Sequence, residues 1–494
     1  MEPGPAGRTG ARSGWRFWSP PALLTLVVTL IGIGHAQPWR DELATWSAAT
    51  RPVGDLIRLA CTIDAATGPY YLLMHGWTAL AGTSPTALRL PSALAMAVAA
   101  ALTAQLGGRL VTPRVGLLTG LLFAVLPSTS RYGQEARPYA LATLFAMLAT
   151  LLLTGVLRRP TWRRWTGYAL AVAALGLAHL IALTLLAAHG LVVLLTATGD
   201  RAIGGVGGRA AGGSGAGLVW RWLVALLPAA LLVTPLVLLA GSQRSRQLDW
   251  VHLARPADLA ALPGGVAQSG VVGGLLVGLA ALGAGRLGRQ SLLPGAAVVL
   301  PVLLLFAAGT VVPLWVTRYL VFTVPFACLL AGAALAGVRL APALAVVVLA
   351  GVLGGPDQAA LRRTHEWPRT APVDYRGAAE IIAEHQQPGD AIGYSPRDSW
   401  LFLDLGVAYQ LGSRKPRDVL MVRDERQRSD LWASECAHPA DCLVGVERLW
   451  LVVAGRRSDP PAGVPGVKGM ALRDGFTVQQ VWPRAGITVA LLAR

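Results

Sequence analysis

Apolar stretches of about a bilayer's thickness recur along the chain from residue 20 to residue 355, and the short segments between them hold nearly all the charge of that region. A transmembrane helix needs roughly 20 mostly apolar residues. Stretches near 20–37, 88–107, 114–128, 138–157, 166–180, 181–197, 218–240, 264–284, 291–312, 319–337 and 340–355 meet that requirement, which predicts about 11 spans. Hydrophobic residues make up 54% of the 494 and charged ones only 14%, so the solvent for this chain is a bilayer. The expected fold is a polytopic α-helical membrane protein.

The net charge of +17 does not point to nucleic acid. Basic residues are scattered through loops instead of gathering on one face, so no nucleic-acid partner is expected. They read as topology determinants. Alternate loops hold Arg109 and Arg114, then Arg158, Arg159, Arg163 and Arg164, then Arg201 and Arg209, then Arg286 and Arg289, then Arg339. By the positive-inside rule these loops face the cytoplasm. Arg8, Arg12 and Arg16 precede the first apolar run as in a signal peptide, but no clear small-residue cleavage site follows. We therefore expect a retained first helix behind a cytoplasmic tail, residues 1–19. An odd number of spans then puts the C-terminal part outside, in a multi-pass protein of the plasma membrane.

Composition changes near Gly355, since only ten of the 26 acidic residues precede residue 362. The expected division is a membrane-embedded catalytic domain over 20–355, with its first external loop at 38–87, and a small extracytoplasmic α/β domain over 356–494. In the latter, Asp374 to Gln386 reads as helix, while Ala391–Tyr394, Arg448–Val453 and Phe476–Trp482 read as strands. Cys436 and Cys442 are expected to form a local disulfide in an oxidising compartment, and Cys61 and Cys328 to stay unpaired. The Gly-rich stretch Gly204–Gly217 lacks the strand, Lys and Ser/Thr context of a phosphate loop, so it reads as a cytoplasmic linker. Nothing on that side suggests a nucleotide site.

Five acidic residues, Asp41, Glu42, Asp55, Asp64 and Glu135, fall in the first two external loops. A carboxylate at a membrane boundary is costly to desolvate and marks a functional site by default. Asp41 and Glu42 follow directly on the first span, whereas Asp55 reads as a solvated loop charge. The second loop, Ser130-Arg131-Tyr132-Gly133-Gln134-Glu135-Ala136-Arg137-Pro138-Tyr139, sets two guanidinium forks among Tyr132, Gln134 and Tyr139, which suits an oxyanion such as phosphate. Glu135 is placed to pair with one of these arginines, and both roles are compatible. Arg318 lies on the same side, against the positive-inside trend, and is a third phosphate candidate beside a bland role in snorkelling to headgroups. The stretch containing Tyr70, Tyr71 and His75 is amphipathic and too short to span, so it is expected along the membrane surface. No carboxylate and His recur at ligand spacing, so no metal site is expected.

Taken together, Arg40-Asp41-Glu42, Asp64 with Tyr70-Tyr71-Leu72-Leu73-Met74-His75, Leu88-Arg89-Leu90-Pro91-Ser92, the Arg131–Tyr139 loop and Arg318-Tyr319-Leu320 resemble the GT-C-type glycosyltransferases. The resemblance is to the branch of bacterial mannosyltransferase-like proteins related to protein O-mannosyltransferases and lipid A aminoarabinose transferase, over residues 20–340. It implies a polyprenyl-monophosphate sugar donor, an active site in the first external loop and inversion at the anomeric carbon. The expected acceptor is an envelope glycan, lipid or protein. Asp41 is the candidate base, Glu42 or Asp64 would orient base or acceptor, and Arg131, Arg137 and Arg318 would hold the phosphate. No cofactor is required, although a divalent cation bridging carboxylate and phosphate is compatible. The rival reading, a transporter or flippase of a lipid-linked or anionic substrate, predicts internal repeats and charges at mid-membrane. The sequence shows neither.

Overall fold

A computed structural model describes residues 14–199, 215–366 and 370–494. The expected linker at Gly204–Gly217 and most of the N-terminal tail lie outside the described residues. Residues 215–217 are described, and they open a helix. The chain forms two compact units: one from Met1–Ile33 and Arg89–Ala360, the other from Gly34–Leu88 and Leu361–Arg494.

The first unit is helical, and its helices begin where the sequence supplies caps. Thr112 accepts the Val115 N–H ahead of the helix Pro113–Val125, and Ser269 accepts the Val272 N–H ahead of Gly270–Leu287. Among the described residues, seven helical stretches are long and apolar enough to cross a membrane. Seven of the eleven expected spans lie within them to within a residue at either end, and an eighth, 264–284, begins six residues earlier, in the helix Pro256–Ala267, and follows Gly270–Leu287 from there. The stretch Gly270–Val311 holds two, divided by a 3-10 turn at Gly288–Ser291 where Gly288 has a φ of +53°. The other three match shorter helices, Ser19–Leu30, Pro113–Val125 and Trp162–Ala178.

Burial runs opposite to that of a soluble bundle in part of this unit. The 33-residue helix Gly215–Gln247 leaves Trp220, Leu231 and Leu238 exposed, a surface that needs lipid instead of water. Thr317–Ala336 lies innermost, with Leu320, Phe322 and Phe326 in the core. Close approach there depends on small residues. A Cβ on Gly283 would overlap the Leu330 carbonyl, and one on Gly332 would overlap Thr119. Such contacts replace the hydrophobic drive that lipid removes from helix association.

The second unit is the polar one. Helices Arg40–Ala49, Val53–Thr62 and Gly68–Ala81 come from the first loop. After residue 361, a helix Tyr375–His385 is capped by Asp374, whose carboxylate accepts the Gly377 N–H at 2.8 Å. The strands are β1 (Ala391–Ser395), β2 (Arg417–Asp418), β3 (Met421–Arg423), β4 (Ser434–Glu435), β5 (Arg448–Ala454), β6 (Thr477–Arg484) and β7 (Ile487–Ala493). Five form a mixed sheet in the order β2-β1-β5-β7-β6, parallel from β2 to β5 and antiparallel from β5 to β6. The expected strands are present, and β7 is an addition that fills the gap between β5 and β6. Cys436 and Cys442 are disulfide-bonded, and Cys61 and Cys328 are free.

The division of the chain differs from the expected one. Residues 34–88, assigned from sequence to the membrane domain, group with the C-terminal residues because their polar side chains are satisfied there. Arg51, fully buried, donates to the Asp430 carbonyl at 2.8 Å and to the Ser47 carbonyl at 3.2 Å. The Tyr409 hydroxyl donates to the Thr83 carbonyl at 2.8 Å, and its ring meets Trp46 edge-on at 5.2 Å. A buried guanidinium is tolerated only when so bonded.

Candidate functional site

In the second unit, the acidic pair after the first span opens the helix Arg40–Ala49. Trp39 is the N-cap, and Asp41 and Glu42 occupy the first turn, where the exposed N–H groups and the helix dipole favour negative charge. Their surroundings differ. Glu42 is buried; its Oε2 accepts the Trp39 N–H at 3.4 Å and lies 3.8 Å from His365 Nδ1. Arg40 pairs with Glu366 at 3.2 Å. Asp41, half-buried on the same turn, acts with Arg40 and Glu366 on Tyr375. Burial holds the Tyr375 phenol well above its ordinary range, and the Glu366 carboxylate adds to that effect.

Asp64 has a left-handed backbone, φ 59°, and its carboxylate accepts hydrogen bonds from Thr67 Oγ1 at 2.7 Å and from the Tyr71 hydroxyl. It is buried, as are Tyr70 and Tyr71. His75 Nδ1 lies 3.0 Å from the Ala49 carbonyl, on the helix that starts with Asp41 and Glu42. These contacts make Asp64, Tyr71 and His75 the pieces that fix this segment, with Asp41 and Glu42 at the start of the element they brace.

In the first unit, the second loop folds as a helix Pro127–Gly133 followed by a turn into Tyr139–Arg158. Arg131 and Glu135 form an ion pair at 3.3 Å. Ser92 Oγ donates to the Glu135 carbonyl at 2.6 Å, and Arg89 donates to the Ile33 carbonyl at 2.7 Å. Gln134 differs from its expected role. Its amide nitrogen donates to the carbonyls of Thr29 at 2.9 Å and Ile31 at 2.7 Å, which lie at the end of the first helix and need donors. Gln134 fastens the loop to that helix, and its donors are committed there.

The three arginines singled out from sequence converge on one aromatic group. Tyr132 meets Tyr139 edge-on at 5.4 Å, Tyr139 stacks with Tyr319 at 6.5 Å, and His179 contacts Tyr319 at 5.0 Å and Tyr139 at 5.7 Å. Arg131, Arg318 and Glu135 all act electrostatically on Tyr132, and Arg137 and Arg318 on His179. Arg318 also lies over the Trp250 ring, 5.3 Å from its centre. Gln268 Nε2 donates to the Tyr132 hydroxyl at 3.4 Å. His179, Trp250 and Gln268 were not singled out from sequence. His179 falls at the join of two expected spans, where a titratable residue in an apolar run was the available signal.

An apolar cavity of about 340 Å³ lies in the same unit, walled by the helices Pro256–Ala267, Gly270–Leu287, Leu292–Val311 and Val324–Ala336. Its lining includes Ala267, the neighbour of Gln268, and Thr323, five residues beyond Arg318. A cation cluster adjoining in sequence the walls of an apolar groove suits an amphiphile with an anionic head. Among the described residues, no three His, Cys, Asp or Glu side chains gather as a metal site would require.

Comparison with known proteins bears on this arrangement. Residues 68–204 match the family model of dolichyl-phosphate-mannose-protein mannosyltransferases. No curated protein matches the chain. Among solved structures, ArnT from Cupriavidus metallidurans is similar in its apo state over 97% of this chain and 98% of its own, at 14% identity and a TM-score of 0.61. The same protein bound to undecaprenyl phosphate gives 13% identity and a TM-score of 0.59 over the same shares. The oligosaccharyltransferase of Archaeoglobus fulgidus is similar over 95% of this chain and 72% of its own, at 12% identity and a TM-score of 0.51. At such identities the likeness establishes the fold.

Proposed function

We propose that this chain is a membrane glycosyltransferase of the GT-C type, which transfers a sugar from a polyprenyl-monophosphate carrier to an acceptor hydroxyl, at the extracytoplasmic face of the plasma membrane and with inversion. The observation that carries the reading is that Arg131 and Arg318 act electrostatically on Tyr132, and Arg137 and Arg318 on His179, two rings that both contact Tyr139. Guanidinium forks bind the phosphate of the donor and take up the charge it gains on departure. The apolar groove suits the polyprenyl chain. The ArnT of C. metallidurans binds undecaprenyl phosphate, a carrier of this class.

In the proposed reaction Asp41 removes the acceptor's hydroxyl proton as the oxygen attacks the anomeric carbon. The bond from that carbon to the phosphate oxygen breaks, and its electron pair leaves with the lipid phosphate. One carboxylate suffices for direct displacement, with no covalent intermediate. Incubating the purified full chain with radiolabelled polyprenyl-phosphate sugars and membrane extract tests the reading. Label should move from at least one monophosphate donor and from no nucleotide sugar. Transfer from nucleotide sugars alone, or from none of the donors, refutes it.

A further inference from the structure

Away from the aromatic cluster, the ends of three helices bring four arginines into one pocket. Arg109 lies in the last turn of Pro85–Leu110, Arg158 ends Tyr139–Arg158, Arg159 follows it, and Arg164 sits in the first turn of Trp162–Ala178. With Thr154 and Gly155 they line a pocket of about 390 Å³. Two of them have structural tasks. Arg158 donates to the Arg109 carbonyl at 2.6 Å, and Arg164 donates to the carbonyls of Gly155 at 2.8 Å and Arg159 at 3.1 Å. Cations at helix C-termini are expected to bond in this way.

Capping does not explain Arg109 and Arg159, which are exposed and line the same pocket. None of the four arginines is ion-paired with a carboxylate among the described residues. Arg163 and Arg164 also stand in the first turn of their helix, where the positive end of the dipole disfavours a cation. Four like charges in one pocket repel one another, and a bound anion removes that cost. Guanidinium forks match the oxygens of a phosphate bidentately, and basic pockets between helix ends hold anionic headgroups.

We propose that Arg109, Arg158, Arg159 and Arg164 form a binding site for a phosphate group, separate from the residues assigned to the sugar donor. The phosphate is either the headgroup of an anionic phospholipid or a free phosphate species. Native mass spectrometry of the full chain, delipidated in neutral detergent, should show phosphatidylglycerol binding about tenfold or more tightly than phosphatidylcholine. R109Q/R159Q, which leaves the two capping arginines in place, should abolish most of that preference, and R109K/R159K should keep much of it. Raising the salt should weaken binding to the wild-type chain, a readout that needs no variant.

Calorimetric titration with inorganic phosphate separates the two sources. Saturable phosphate binding that is lost in R109Q/R159Q, with no preference between the two lipids, assigns the site to free phosphate. Equal binding of both lipids together with no phosphate binding overturns the proposal. So does anion binding by the wild-type chain that is unaffected by both R109Q/R159Q and salt.

Discussion

Arg131 and Glu135 pair at 3.3 Å with their side chains only 6% and 1% exposed. Such a pair resists the loss of either partner more than its own net worth suggests, because the survivor is left charged and out of water. Arg131→Ala should therefore cost about 3–5 kcal/mol of stability in addition to any loss of donor binding. Thermal unfolding in detergent should show the drop, and Arg131→Lys should restore part of it. An unchanged melting temperature for Arg131→Ala would mean that Glu135 is held by other groups.

Arg137→Ala and Arg318→Ala separate the donor role from the structural one. Both should weaken donor binding and turnover together, since the phosphate is charged in the ground state and gains charge as it leaves. Direct binding of a polyprenyl-phosphate sugar checks the first, and the rate at saturating donor the second. Binding that survives both substitutions would remove the phosphate clamp from the proposal.

Asp41→Asn keeps the size of the side chain but cannot accept a proton. Turnover should fall by roughly two to four orders of magnitude, with donor binding nearly unchanged. Glu42→Gln and Asp64→Asn disturb the cap at Trp39 and the Tyr71 contact, so their defects should appear in stability as well. If Asp41→Asn transfers normally while Glu42→Gln is inactive at unchanged stability, Glu42 is the base.

Asp404 offers a pH test outside the membrane. Burial raises its pKa above the usual carboxylate value, although Arg397 at 3.2 Å opposes that shift. The folded state thus holds the proton more tightly than the unfolded one. Asp404 then contributes stability below its unfolded pKa and loses it as pH rises through the folded value. The melting temperature of the wild-type chain relative to Asp404→Asn should therefore increase as pH falls from 7 toward 4. A difference that shrinks on acidification would show that the Arg397 pairing dominates.

Topology is open to labelling within the first unit. In a Cys61→Ser background, a cysteine at Ala257 should react with an impermeant reagent applied to intact cells, and one at Thr161 should not. The reverse pattern would overturn the orientation.

Periodicity and punctuation made much of the fold legible. The helix Tyr375–His385 was readable because Asp374 precedes it as a cap, and three sheet strands because each is a short β-rich run. β7 escaped because Ile487–Ala493 is a plain apolar run at the chain's end, and only its pairing with both β5 and β6 distinguishes it. Arg318 stands out in the sequence as positive charge on the side where the loop rule disfavours it, and Arg131 and Arg137 as two guanidinium forks in a dense polar loop. The task of Gln134 was not, because the carbonyls it serves lie more than a hundred residues earlier. The same holds for the left-handed turn at Asp64, which a sequence does not display.

One helix carries two kinds of position for anyone who would retailor this protein. On Gly270–Leu287, Gly283 touches the backbone of Leu330, so any side chain there would force two helices apart. Its neighbours Ala280 and Ala284 line the groove, where added methylenes would only take up free volume. The first position is frozen by geometry, and the other two work as dials that narrow the cavity without shifting the framework around it.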